Sequence, residues 1–176
     1  MDGFEPIQNR MHPMISIRAM TPADVPAICA LARAIWQRTY PSLISQAQID
    51  YMLADRYAPD RLYAQLDDPA HAWRIAWWAD ERLGFAHASC EAEACKLDKL
   101  YIHPDHQRRG LGGALLADIK AFARSHAASR LWLQANRGNT AAIAAYRQYG
   151  FAIQAARVFE IGGGFIMDDY VMEMPL

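Results

Sequence analysis

The sequence predicts one α/β domain: a single mixed sheet of about seven strands with flanking helices, in the order βααβββαβαββ. Three observations predict it. Short apolar runs with period-two alternation, such as Ile15-Ser16-Ile17-Arg18, recur along the chain and read as strands. Between them, apolar residues fall three and four apart, as in Ile28, Leu31, Ala32 and Ile35, which is helical spacing. Finally, 176 residues, 53% of them apolar, suffice for one core, and no repeat or linker divides them. The domain is expected over residues 15–176, with 1–14 a flexible leader in which Met11 and Met14 offer alternative starts.

Each element has its own signal. Ile15 to Arg18 is the first strand, and Thr21-Pro22 is an N-cap with proline at the first helical position, opening a helix that ends near Tyr40-Pro41. A second helical region spans Gln46 to Leu66, broken near Ala58-Pro59. Trp73 to Trp78 turns at Asp80-Glu81-Arg82 into Leu83 to Ala88, and the acidic Glu91-Ala92-Glu93 turns that strand into Lys96 to Ile102. Alternation there sets Asp98, Leu100 and Ile102 on one face and Leu97, Lys99 and Tyr101 on the other. A central helix to about His126 carries the stripe Leu111, Leu115, Ile119 and Phe122, which packs on the sheet. Arg130 to Ala135 is the next strand; Asn139 caps a short helix ending at Gly150, and Phe151 to Ile161 and Phe165 to Met174 close the sheet through a triple glycine.

Composition excludes several functions. A net charge of −1 with no basic run gives no reason to expect a nucleic-acid partner. No stretch approaches the roughly 18–20 apolar residues of a membrane span, and the N-terminus lacks the layout of a signal peptide, so a cytoplasmic protein without a membrane partner is expected. Cys29, Cys90 and Cys95 lack metal spacing and read as small buried thiols, and the scattered histidines predict no metal site.

The stretch Gln107-Arg108-Arg109-Gly110-Leu111-Gly112-Gly113-Ala114 carries the chemistry. It joins a strand to a helix start, where small residues let a ligand approach the backbone and first-turn N–H groups have no helical partner. The helix dipole and two arginines add positive charge, a combination suited to a pyrophosphate. No Gly-Lys-Ser/Thr follows, which rules out a Walker loop. A dinucleotide fingerprint fits poorly, since Leu115 stands at the third glycine position. Read alone, the stretch is also compatible with a merely glycine-rich helix start.

Its surroundings give it more meaning. Gln107-Arg108-Arg109-Gly110-Leu111-Gly112 resembles the Gln/Arg-x-x-Gly-x-Gly/Ala signature of the GNAT family of N-acetyltransferases. Leu100-Tyr101-Ile102-His103-Pro104 resembles the family's preceding strand, and Asn139-x-x-Ala142-x-x-x-Tyr146-x-x-x-Gly150-Phe151 its second cofactor motif. The element order is also the family's.

The resemblance implies acetyl-CoA as cofactor and transfer of its acetyl group to a primary amine, by direct attack in a ternary complex. It implies that Gln107 to Ala114 hold the pyrophosphate, that the backbone of Leu100, Tyr101 and Ile102 pairs with the pantetheine arm, and that Asn139 and Ala142 contact that arm. Tyr146 is the implied acid that protonates the departing thiolate. Model acidities of a phenol and a thiol, near 10 and 8.5, make that exchange sensible. A glutamate stands at the start of the fourth strand in many relatives; here Lys96 occupies the place. Glu91, Glu93 and Asp98 are nearby substitutes as base, and a water chain is an equal alternative. Family resemblance puts Trp36 to Tyr40 and the last strands around the acceptor, where Asp168 and Asp169 suit a cationic amine. The tail Gly163 to Met172 is loosely similar to bacterial polyamine-type (spermidine/spermine) acetyltransferases, so a small amine such as a polyamine is expected. The alternatives are a silent CoA-binding or regulatory module, and an enzyme acting on protein N-termini or lysines. Homodimers are common in the family, though nothing in this sequence requires one.

Overall fold

Residues 15–176 are described here by a computed structural model; the leader expected at 1–14 lies outside the described residues. Strand β1 (Ile15–Ala19) is followed by α1 (Val25–Thr39), α2 (Gln46–Arg56) and α3 (Pro59–Asp67). Then come β2 (His71–Trp78), β3 (Glu81–Glu91), β4 (Ala94–Ile102), α4 (Leu111–Ser125), β5 (Arg130–Asn136), α5 (Thr140–Gln148), β6 (Ala152–Gly162) and β7 (Phe165–Pro175). Local chemistry explains most boundaries. The Thr21 hydroxyl and amide both donate to the Asp24 carboxylate, at 2.8 and 3.0 Å, closing a 3₁₀ turn over Pro22–Asp24, so α1 begins at Val25 rather than at Pro22. Proline at the first turn of α3 makes the break at Ala58-Pro59 a true helix boundary. The β2–β3 turn falls at Ala79-Asp80, with Ala79 at φ 51°, so Glu81 and Arg82 belong to the strand.

The seven strands form one sheet in the order β1-β2-β3-β4-β5-β7-β6. Only β4 and β5 run parallel, as their crossover through α4 demands; every other neighbouring pair is antiparallel. Helices α4 and α5 cover one face, where Leu111, Leu115, Ile119 and Ile143 pack on Leu97, Leu131 and Leu133. Helices α1 to α3 cover the other, where Ile28, Ile35, Ile49 and Leu62 pack on Ile75 and Phe85. Of the three thiols, only Cys95 is buried; Cys29 and Cys90 are partly exposed, and Cys90 faces Cys95 in register across the β3–β4 hairpin.

Two departures from regular pairing shape the middle of the sheet. First, β4 and β5 pair only at Ala94–Lys96 with Arg130–Trp132. Beyond Lys96 no strand among the described residues pairs with that edge of β4, and the sheet opens. Second, the β3–β4 register steps from Ala88↔Leu97 to His87↔Lys99, leaving Asp98 as a bulge. The bulge corrects the alternation expected from the sequence. Leu97 packs with Leu100 and Ile102 on the α4 side, whereas Tyr101 packs among the α1–α3 residues.

Candidate active site

The opening between β4 and β5 is a cleft of about 800 Å³ that crosses the sheet from the start of α4 to the ends of α1 and α2. Of the residues expected at a cofactor site, Leu100, Tyr101, Ile102, Gln107, Arg108, Gly110, Leu111, Gly112, Asn139, Ala142 and Tyr146 all line it. They arrive from β4, the following loop, α4 and α5, and it is the fold that brings the α5 residues to the β4–α4 stretch.

At the α4 end, Arg108 and Gly110 both have left-handed backbone, at φ 62° and 87°. Such a turn gathers backbone N–H groups toward one side, where they can meet an anion. The amides of Leu111, Gly112 and Gly113 are the first-turn donors without helical partners. Ala114 is not one of them, because its N–H donates to the Gly110 carbonyl at 3.0 Å. Arg109 also turns away, its guanidinium 5.6 Å from the Trp78 ring centroid, and Gly113 and Ala114 do not line the cleft. The Gln107 side-chain amide donates to the Ile102 carbonyl at 3.3 Å, tying the loop to the strand end. Tyr149, which sequence reading missed, closes this end: a Cβ on Gly112 would stand 2.9 Å from its hydroxyl oxygen.

Asn139 does cap α5, its side-chain oxygen accepting from the Ala142 amide at 3.2 Å. That leaves the carboxamide NH₂ for a ligand. Two turns further, Tyr146 sets its ring edge-on to Phe151, centroids 5.7 Å apart, and borders the cleft. Burial, helped by Tyr40 and Tyr149 nearby, pushes its phenol above the ordinary value. The comparison of acidities in water therefore needs correcting: the phenol is a weaker acid here. A thiolate leaving in the same cleft is desolvated too, which narrows the gap again.

The α1–α2 end is aromatic and charged. The Trp36 and Tyr40 rings meet at a tilt, centroids 4.5 Å apart, and the Tyr40 and Tyr101 hydroxyls are 3.0 Å apart. Asp98 sits at the centre of a partly buried polar cluster. It bonds Lys99, approaches Lys96 at 3.3 Å and Arg56 at 4.0 Å, and lies 3.4 Å from His87 Nδ1. Burial alone would raise its pKa. The His87 bond and the Lys99 and Lys96 charges outweigh it, holding the carboxyl well below the usual range. His87 is pushed down to about 4, chiefly by burial. A neutral imidazole there donates from Nδ1 to Asp98 and accepts at Nε2 from His71, whose Nδ1 is 2.9 Å away. Asp98 is thus a fixed anion rather than a base.

Two acceptor-site expectations are corrected. Glu91 is exposed at the β3 hairpin end and does not line the cleft. Asp168 and Asp169 separate, because successive strand residues face opposite ways. Asp168 turns outward to Arg137 at 3.2 Å, whereas Asp169 is 5% exposed and lines the cleft beside Met167. Arg56 and Met52 also line it, brought there by α2, and no local pattern in the sequence marks them. Helix α2 is itself held on β7, where the Gln48 side chain donates to the Ile166 carbonyl at 2.7 Å.

A seven-stranded sheet split beside a helix N-terminus thus sets a phenol and carboxylates along one cleft. The chain matches the acetyltransferase (GNAT) family over residues 30–151. It belongs to that family, and is an acyltransferase. It is similar to the spermidine N(1)-acetyltransferase of Thermoplasma acidophilum, 23% identical over 158 residues that cover 88% of this chain and 96% of that protein. A [ribosomal protein bS18]-alanine N-acetyltransferase of Salmonella typhimurium is 36% identical over 74 residues, 42% of this chain and 50% of that one. Among solved structures, the PaiA N-acetyltransferase of Thermoplasma acidophilum in complex with coenzyme A has a TM-score of 0.80 at 21% identity, covering 93% of this chain and 99% of that chain.

Proposed function

We propose that this protein transfers an acetyl group from acetyl-CoA to the primary amine of a small molecule, by direct attack in a ternary complex. One observation carries the reading. The unpaired edge of β4, the free amides of α4, Tyr146 and Asp169 line one continuous cleft. The fit to the cofactor rests on the same features. The first-turn amides and Arg108 suit a pyrophosphate, and a strand edge without a neighbour suits the amides of a pantetheine arm. Acetyl-CoA supplies an acetyl group activated as a thioester. Leu100 to Ile102 and Asn139 orient it, and Tyr146 holds a proton for the departing sulfur. No cysteine lines the cleft among the described residues, in keeping with direct transfer.

For the acceptor, a polyamine is supported by the tail of the chain and by the Thermoplasma relative. A second reading is an amine that brings its own carboxylate, such as an amino acid or a peptide. It is favoured by the charges at the acceptor end, where Arg56 and Lys96 line the cleft with Asp98 and Asp169. The similarity to an alanine N-acetyltransferase supports the same direction, including protein N-termini. A silent module does not need a phenol and a carboxylate kept in one cleft.

Thiol release from acetyl-CoA, measured across polyamines, amino acids, aminoglycosides and peptides, tests the reading and ranks the acceptors. Coenzyme A binding without turnover on any amine would leave the silent module. A burst of acyl-protein on mixing would contradict direct transfer.

A further inference from the structure

We propose that the Asp169 carboxylate takes the proton from the acceptor amine, approaching it from β7 rather than from β4. The proposal rests on the acetyl-transfer reading above and names the base that the reading lacks. Its foundation is geometric. Asp169 is 5% exposed and lines the cleft, yet its Oδ1 has no hydrogen-bond partner among the described residues. Buried polar atoms are rarely left so, and an orphan at a cleft marks a place for a ligand. Trp36, whose buried Nε1 is likewise without a hydrogen-bond partner among the described residues, lines the same cleft. The other cleft carboxylate, Asp98, is saturated by His87, Lys96 and Lys99.

The groups around Asp169 come from every neighbouring element. Arg56 from α2, Lys96 from β4 and Tyr40 from α1 act on it through their charges or dipoles, and Asp98 of β4 and Tyr146 of α5 line the same cleft. Asn136 on β5 and Arg157 on β6 are its cross-strand partners, and Asp168 precedes it. Burial pushes its pKa up from 3.8 to about 6, with Asp168 adding to the rise and Arg56 and Lys96 opposing it. About two units make it roughly a hundredfold stronger base than an ordinary aspartate, near the operating pH that proton transfer favours.

The step balances. The ammonium gives one proton to Asp169, and the freed lone pair forms the C–N bond to the acetyl carbonyl carbon. The C–S bond breaks, the sulfur takes the Tyr146 proton, and the surplus proton on nitrogen restores the phenol through solvent. Asp169 then releases its proton, so one proton leaves per turnover.

The test compares wild type with Asp169→Asn and Asp169→Glu. Wild-type kcat/KM is expected to rise with pH through about 6, and Asp169→Asn to lose that limb with kcat lowered on the order of 10²-fold. Coenzyme A affinity should be unchanged, and Asp169→Glu should recover part of kcat. Carboxyl ¹³C NMR of the free protein should show one resonance titrating near 6 that Asp169→Asn removes. An unaltered pH limb, or a loss confined to KM, overturns the base assignment while leaving acetyl transfer standing. Absence of wild-type turnover on every amine overturns both.

Discussion

Asp98 and Lys99, consecutive residues of β4, bond each other side chain to side chain on one face of the sheet. In a regular strand they would point to opposite faces. The bulge at Asp98 brings them together, and with them His87 from β3. The result is an ammonium only 5% exposed whose charge is tolerated because a carboxylate touches it.

Removing that carboxylate should therefore be costly. Asp98→Asn leaves Lys99 buried without its counter-ion and is expected to lose about 3–5 kcal/mol, read from the urea midpoint. The double variant Asp98→Asn/Lys99→Met should recover most of the loss. Equal stability of the single variant and the wild type would show that the pair does not hold this region.

Gly84 is required by close approach rather than by backbone conformation. A Cβ there would lie 2.7 Å from the Tyr101 carbonyl oxygen and would also strike the Ile102 side chain. Gly84→Ala should cost about 1–3 kcal/mol and lower Tm by roughly 2–4 °C per kcal/mol. Because Tyr101 and Ile102 line the cleft, coenzyme A binding by calorimetry should weaken as well.

Tyr146→Phe keeps the ring against Phe151 and removes only the acidic proton. Turnover is expected to fall about 10²-fold, while the Kd for coenzyme A stays within a factor of two or so. Unchanged turnover would remove Tyr146 from the chemistry.

Two buried groups give opposite pH dependences of stability. His87 titrates near 4 when folded, against 6.5 when unfolded, so its contribution is complete above 6.5 and is lost as pH falls toward 4. The loss is at most roughly 3 kcal/mol. Asp169 titrates near 6 when folded, against 3.8 unfolded, so it weakens the fold as pH rises through that interval. Asp169→Asn should thus be more stable than wild type above pH 6. In that variant, urea midpoints should drop on acidification from 6.5 to 4, and a flat profile would mean His87 is not held neutral.

Much of this was readable along the chain because its causes are local. Thr21-Pro22, Ala58-Pro59, the Asn139 cap and Gly150 each act within one turn, and the structure departs from them only in extent, as in the 3₁₀ turn before α1. The glycine stretch was readable too, because a strand, a loop and a helix start are contiguous. Asp168 and Asp169 were not separable from sequence, since alternation says that they part but not which one faces inward. Arg56 carried no signal; α2 brings it to the cleft by packing on β7.

The sequence by itself determined the element order, the glycine-rich helix start and the phenol two turns into α5, since each depends on neighbours a few residues away. Only the tertiary structure decided where the sheet splits, which carboxylate stays unpartnered and which is neutralised. Those outcomes depend on the β4 bulge and on burial by distant helices, and desolvation is a property of the packed molecule rather than of any segment.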